Sequence, residues 1–434
     1  MKKELNSLFD TTFLKLYPNL VEQFNTIMKK IFILILMICC FTSCKNKTEK
    51  VNFVTINGTD LMNPDNSKLF IKGTNLGNWI NPEGYMFGFH KANSPRLINQ
   101  MFCELVGPDF TAEFWRKFKD NYITKADINF IHSCGANTIR IPFNYRLFTD
   151  EDYMGLTSKQ DGFIRIDQII NWCRELNMYV ILDMHDAPGG QTGDNIDDSY
   201  GYPWLLESET SQKLFCEIWK NIANHYKNEP VVLGYELCNE PIATYFDNLD
   251  TLNTLLEPLY KKATASIREV DNNHIIILGA PQWNSNFEPL KDWTFDDKIM
   301  FTCHKYGGKA SEEGIKNYID FRDKSGLPMY MGEIGHGSME WQETYAKILQ
   351  SNNIGYTFWP YKKMGDECMR GIGTPNNWNV IINFEESDRS SFSKIRENRP
   401  NQSIARKAMT EFLDSCTYAN SHSNEQYIKS LLLK

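Results

Sequence analysis

Between Ile71 and Phe358 the chain alternates short apolar runs with longer stretches of helical periodicity. Ile71-Lys72-Gly73-Thr74-Asn75-Leu76 reads as a first central strand, Thr138-Ile139-Arg140-Ile141-Pro142 as a second and Tyr179-Val180-Ile181-Leu182-Asp183 as a third. Val231, Val232 and Leu233 open a fourth run, which continues through Gly234-Tyr235-Glu236-Leu237-Cys238-Asn239-Glu240 and stops at Pro241. Residues 275–278, 300–303, 329–331 and 356–358 supply four more. Runs this short and this apolar predict strands buried on both faces. Between them, residues 125–134 predict a helix with Thr124 as its N-cap. Ile166, Ile169, Ile170, Cys173 and Leu176 form one helical stripe; Leu252, Leu255, Leu256, Leu259, Ala263 and Ile267 form another. Residues 213–226, 314–321, 339–349 and 403–413 predict further helices. Strands alternating with helices, with no internal linker or repeat, predict an α/β protein built as a single (β/α)8 barrel.

Two segments lie outside that alternation. Residues 53–56 and 69–71 flank Asn57-Gly58 and predict an N-terminal β-hairpin. Residues 360–401 follow the eighth strand and predict a long inserted loop overhanging the face where the strands end. Upstream, Met28-Lys29-Lys30 precedes the apolar run 31–41 and then Thr42-Ser43-Cys44. A basic start, a run too short to span a bilayer and small residues before a cut predict a secretory signal. Phe41-Thr42-Ser43-Cys44 resembles a bacterial lipobox. The expected organisation is therefore an over-called extension (1–27), a lipoprotein signal peptide (28–43), a tether (44–52), the barrel (53–420) and a C-terminal tail (421–434). A lipid on Cys44 implies a membrane-anchored lipoprotein at the outer membrane or cell surface; without it the chain is periplasmic or secreted.

Composition narrows the function more than the fold. A formal charge of −8 over 434 residues leaves no electrostatic footprint for nucleic acid. The 20 Tyr, 27 Phe and 10 Trp are a generous aromatic supply; core packing explains most of them, and sugar-binding clefts also use flat aromatic faces. Eight cysteines follow Cys44 without a C-x-x-C pair, so neither a zinc ribbon nor a redox motif is present.

The candidate chemistry stands at the strand ends. Arg140 ends the second strand, His185 follows the third, and Asn239 and Glu240 end the fourth. His304 and Tyr306 end the sixth, Glu333 the seventh, and Trp359 follows the eighth. Helix packing would put aliphatic residues there, so polar groups gathered on one rim predict a site. Two carboxylates facing each other suit nucleophilic and acid–base work at an acetal. Arg140 and Tyr306 are placed to hold Glu333 ionised through charge-assisted hydrogen bonds. Glu240 must stay protonated, its pKa raised by burial and by the second carboxylate. Gly332 and Gly335, either side of Glu333, are expected to leave room for a ligand, and Trp359 to floor a sugar ring.

Those eight residues, with Gly73-Thr74-Asn75-Leu76-Gly77-Asn78-Trp79, Leu182-Asp183-Met184-His185-Asp186-Ala187-Pro188-Gly189 and Leu237-Cys238-Asn239-Glu240-Pro241, resemble the active-site set of glycoside hydrolase family 5. The resemblance implies a retaining β-glycoside hydrolase of cellulase type, with Glu333 as nucleophile and Glu240 as acid/base. It also implies that Asn239 binds the sugar 2-hydroxyl, and that Arg140, His185, His304, Tyr306 and Trp359 line the substrate site. Trp79 with Glu83, and Ala187-Pro188-Gly189-Gly190-Gln191, resemble the exo-acting β-1,3-glucanase branch, in which a residue at the Glu83 position binds the terminal glucose. Endo-β-1,4-glucanase and exo-β-glucanase action both stay open, as does a catalytically inactive surface glycan-binding lipoprotein on the same scaffold. Trp204, Trp283 and Trp378 are each either sugar platforms or core. Asp183 and Asp186 beside His185 lack a second close His, so no metal and no cofactor is expected. The expected partner is a β-linked polysaccharide or oligosaccharide, and the expected state a monomer.

Overall fold

Three short strands, β1 (Thr55–Asn57), β2 (Asp60–Met62) and β3 (Lys68–Leu69), precede the eight that form the body of the protein. Those are β4 (Lys72–Asn75), β5 (Thr138–Asn144), β6 (Tyr179–Asp186), β7 (Val232–Glu236), β8 (Ile275–Gly279), β9 (Ile299–Tyr306), β10 (Met329–Gly335) and β11 (Gly355–Phe358). In the computed structural model, which describes residues 53–194 and 196–434, they close into a parallel barrel with each strand beside its successor and β11 beside β4. The (β/α)8 expectation holds. The signal-peptide, lipobox and tether expectations fall on residues 1–52, outside the described residues.

Several strands run past the apolar stretches that revealed them. β5 reaches Asn144, β6 Asp186 and β9 Tyr306, because the backbone goes on pairing after the side chains turn polar, as at Asn144↔Asp186 and Gly335↔Tyr306. At the other end of the barrel, β1, β2 and β3 form an antiparallel sheet. Asn57-Gly58 turns into β2, not into residues 69–71 as the hairpin expectation had it. Asp60–Met62 offers a single buried apolar residue, Leu61, too little alternation to announce a strand. Val54, Leu61, Leu69 and Ile71 pack against Ile181, Leu233, Ile275, Ile277, Met300 and Tyr330, closing the N-terminal mouth.

The surplus of aromatics is used outside the barrel. Two helices that the sequence did not announce, Pro95–Val106 and Pro108–Tyr122, each begin with proline, whose missing N–H costs nothing in a first turn. With Gln402–Ser415 they enclose Phe87, Phe89, Phe102, Phe114, Trp115, Phe118, Trp378 and Phe412. Trp378 stacks on Phe412 at 4.9 Å and donates its indole N–H to the Phe87 carbonyl at 2.9 Å, so it is core, not a sugar platform. Segment 360–401 is accordingly no open loop. It holds β12 (Lys362–Met364), β13 (Arg370–Ile372) and the helices Trp378–Glu386 and Phe392–Asn398. It approaches the C-terminal mouth near Glu367, 3.7 Å from His336. The C-terminal segment, expected as a tail, is packed: β14 (His422–Ser423) pairs with β13, and Leu431 and Leu433 are buried. The eight cysteines after Cys44 are all free.

Candidate active site

Register brings the rim together. Asn75 pairs with Arg140, Asp183 with Glu236 and His304 with Glu333, so residues distant in sequence share one layer at the C-terminal mouth. A bulge at Gly332 shifts the register of β10 against both neighbours and re-aims Glu333. A Cβ on Gly332 would stand 2.3 Å from Thr302 Oγ1 and 3.1 Å from His304 Nε2; one on Gly335 would stand 2.6 Å from the Trp359 carbonyl oxygen. These glycines make room for neighbouring strands, not for a ligand as the sequence suggested.

Arg140, wholly buried, is the hub. Its Nη1 donates to Glu333 Oε1 at 2.7 Å and to Asn75 Oδ1 at 3.0 Å. Nη2 donates to Glu236 Oε1 at 2.6 Å and to Asn239 Oδ1 at 2.8 Å, and lies 3.0 Å from Asp183 Oδ2. Nε completes a fork onto Glu236 at 3.1 Å, and Tyr330 donates to the same carboxylate. Glu333 takes its second bond from Tyr306, whose hydroxyl donates to Oε2 at 2.6 Å. Both oxygens of Glu333 thus accept hydrogen bonds, one of them from a full positive charge.

Glu240 lives differently. Its carboxylate touches no Lys or Arg among the described residues, and its Oε1 meets His304 Nδ1 at 2.6 Å. Burial is the main force pushing its pKa up, to about 7. Glu236 adds to the rise, whereas the expected second carboxylate, Glu333, is not among the main causes. The backbone beneath it is left-handed, with φ of 44° at Glu240 and 58° at Ile242, which a non-glycine residue adopts only when held. Thr192 holds it by donating to the Glu240 carbonyl at 2.7 Å, and the Ile242 N–H donates to the Gln191 carbonyl at 2.9 Å. Gln191 Nε2 in turn donates to the carbonyls of His185 at 2.7 Å and Asn239 at 2.9 Å, tying the two loops together.

The remaining expected residues join the same mouth. His185 Nδ1 lies 2.8 Å from Asp183 Oδ2, and its ring stacks on Trp359 at 5.3 Å and 3°. Burial lowers the pKa of both His185 and His304 to about 4, so both imidazoles are neutral at pH 7. Asn239 Oδ1 is engaged by Arg140, which directs its NH2 toward His185. Glu83 is buried, and its Oε1 has no hydrogen-bond partner among the described residues. Burial and then the nearby Glu333 and Glu240 push its pKa well above the ordinary range. A pocket of about 230 Å³ is lined by Glu83, His185, Glu240, Tyr306, Glu333 and Trp359 together with Tyr85, Ile196 and His336. Arg140 and Asn239 stand fully buried behind them. Trp204 is exposed and packs on Tyr202; Trp283 is half-buried near Tyr245.

Sequence reasoning missed Glu236, Asp183 and Asn75 as partners of Arg140. A signal existed for the first: a charge within an apolar run is costly unless paired. Tyr85, whose hydroxyl accepts the Trp359 indole N–H at 2.6 Å, gave none. One donor atom from each of Glu240, His304 and Glu333 lies within 4.8 Å of the others, close enough to grip a cation. Yet Glu333 already accepts from Arg140 and Tyr306, and the His304 nitrogens face Glu240 and Asn284, so these atoms already have protein partners.

Residues 103–365 match the model of the cellulase family, glycosyl hydrolase family 5. The chain belongs to glycosyl hydrolase family 5. This family 5 hydrolase is 26% identical over 356 residues to a β-xylosidase of Phanerodontia chrysosporium, covering 73% of this chain and 72% of that one. It is 30% identical over 319 residues to endoglucanase C of Acetivibrio thermocellus, covering 58% and 88%. A probable glucan endo-1,6-β-glucosidase B of Aspergillus flavus is 29% identical over 365 residues, covering 72% and 88%. Among solved structures, an endogalactoceramidase superposes with TM-score 0.54 at 15% identity, over 72% of this chain and 75% of that one. A rutinosidase from Aspergillus niger superposes with TM-score 0.53 at 20% identity, over 68% and 91%. The two structures attest the shared fold; the sequence relatives and the family make the chain a glycoside hydrolase.

Proposed function

We propose that this glycoside hydrolase is a retaining enzyme acting on β-linked glucan chains or their oligosaccharides, with Glu333 as nucleophile and Glu240 as acid/base. The observation that carries the proposal is the pairing itself: the two carboxylates approach within 4.8 Å yet have opposite surroundings. Retaining enzymes hold their carboxyl groups about 5–5.5 Å apart, whereas inverting ones leave about 6.5–9.5 Å for a water. Arg140 and Tyr306 donate to the two oxygens of Glu333, whereas burial raises the pKa of Glu240 to about 7, which favours its proton near neutral pH.

In the first step Glu333 bonds to the anomeric carbon while the glycosidic C–O bond breaks. Its electron pair goes to the leaving oxygen, which takes the Glu240 proton. In the second, ionised Glu240 takes a proton from water, the water oxygen bonds to the anomeric carbon, and Glu333 departs as carboxylate. In this reading the Asn239 NH2 binds the adjacent sugar hydroxyl and Trp359 lies under the ring. Because Glu240 must carry its proton in the first step, kcat/KM should fall about tenfold per pH unit above about 7. Glu240→Ala should lose that alkaline limb, and azide should restore turnover of a dinitrophenyl glycoside by attacking the glycosyl-enzyme. An unchanged alkaline limb in Glu240→Ala would remove the acid/base role.

The relatives named above are, by their names, a β-xylosidase, an endoglucanase and a glucan endo-1,6-β-glucosidase, so the family leaves the sugar and linkage to the pocket. A small pocket lined by Glu83, Tyr85 and Trp359, with the Glu83 carboxyl buried in its wall, favours attack at a chain end. Monosaccharide as the first product from a β-glucan panel supports this; mixed longer oligosaccharides would indicate endo action instead. An inactive glycan-binding scaffold would have no need of the two contrasted carboxylates. We further propose export as a lipoprotein, with signal peptide 28–43, Cys44 lipidated, a tether to residue 52 and a monomeric barrel beyond it. Radiolabelled palmitate should enter the wild type and not Cys44→Ala; label in both would refute the anchor.

A further inference from the structure

After β8 the chain makes a turn with an unusual backbone. Gln282 (φ 53°), Trp283 (φ 56°) and Asn284 (φ 58°) are three successive non-glycine residues in the left-handed region. Each costs on the order of 1–3 kcal/mol, so the surroundings must impose the turn. They do. The Gln282 N–H donates to the Ile242 carbonyl at 2.8 Å, its Nε2 donates to Asn253 Oδ1 at 3.0 Å, and the Asn284 N–H donates to the Ala280 carbonyl at 3.0 Å. The turn delivers one side chain to the site's interior: Asn284, wholly buried, with its Nδ2 3.1 Å from His304 Nε2.

The consequence lies on the other side of that ring. An imidazole that accepts at Nε2 carries its proton on Nδ1. Nδ1 is the atom 2.6 Å from Glu240 Oε1. In the structure the amide turns its NH2 to Nε2 and its oxygen toward Gly279. Asn284 Oδ1, which has no hydrogen-bond partner among the described residues, stands 2.2 Å from where a Cβ on Gly279 would lie. Glu333 Oε2 is 3.7 Å from His304 Nδ1, and Arg140, Glu236 and His185 act on the ring through space. Tyr318 donates to its backbone carbonyl at 3.0 Å, so it does not compete for the nitrogens.

We propose that Asn284 is a positioning residue for proton donation: its amide fixes the His304 tautomer that donates to Glu240 Oε1, leaving the Glu240 proton on the oxygen facing the pocket. Without that amide, His304 can place its proton on Nε2 and present a Nδ1 lone pair to Glu240. The acidic proton then bonds to His304 and turns away from the leaving oxygen. The inference rests on the acid/base reading of Glu240 given above.

The test compares two leaving groups. Asn284→Ala removes the amide, and Asn284→Asp keeps the shape and the left-handed backbone while offering His304 only an acceptor. Both should lower kcat/KM on an unactivated oligosaccharide by about tenfold or more, part of the 10²–10⁴ that general acid catalysis supplies. Both should leave kcat/KM on a dinitrophenyl glycoside, whose departure needs no proton, within about threefold of wild type. Equal losses on the two substrates, or no loss on either, would overturn the proposal. If Asn284→Ala does not fold, Asn284→Asp carries the comparison alone. Glu240→Ala measured alongside separates the two readings. If it lacks leaving-group dependence, the acid/base role fails. If it shows the dependence and the Asn284 variants do not, only the role of Asn284 fails.

Discussion

Glu333→Gln is expected to lower kcat on any β-glycoside by about 10⁴-fold or more, with no recovery from azide and no dependence on the leaving group. An amide of the same shape is too weak a nucleophile to attack the anomeric carbon, and no second carboxylate can replace it from the same position. Glu83 is buried with its pKa pushed well above the usual carboxylate range, and Glu240 is engaged by His304. Arg140 should not be stranded by the change, because Glu236 and Asp183 remain against its guanidinium. The variant should therefore melt close to wild type. Activity lost with the fold intact distinguishes chemistry from damage, and activity retained would remove Glu333 from the mechanism.

Arg140→Met is expected to fail in the opposite manner, through the fold as well as the chemistry. The substitution leaves Glu236, Asp183 and Glu333 gathered in a dry barrel without their common cation. Removing one partner of a buried ionic cluster costs about 3–5 kcal/mol, and the carboxyls must take up protons to persist there. The melting temperature should drop by several degrees, and further as pH rises and those protons become harder to keep. Arg140→Lys should recover only part of this, since an ammonium cannot span Glu236 with a two-pronged contact while also reaching Glu333. A variant that melts like wild type would mean the cluster is not held by Arg140.

Most of the barrel and the whole set of expected rim residues could be read from the sequence, for a single physical reason. A strand buried on both faces must be apolar, so a polar residue at its end contradicts burial and must be explained by the mouth. Arg140, His185, Glu240, His304 and Glu333 announced themselves in that way. What could not be read depended on which strands meet. Spacing along the chain does not reveal that Glu236 stands beside Asp183, or that Asn284, in the turn after β8, reaches His304 on the neighbouring β9. Closure and register of the barrel decide both. The helices at 95–122 and the structured segment 360–401 were hidden for another reason. Their apolar residues serve an aromatic layer outside the barrel, so their pattern carried no strand–helix alternation. Segment 360–401 also begins at a proline after a strand, which imitates an open loop.

The central claim is that Glu333 forms a covalent bond to the sugar. A dinitrophenyl β-glucoside bearing fluorine in place of the hydroxyl next to the anomeric carbon forms that bond readily and releases it slowly. Mass mapping of the inactivated enzyme should find one fluoroglucosyl group, on the peptide containing Glu333. An adduct on any other residue, or turnover with inversion and no adduct, would contradict the account.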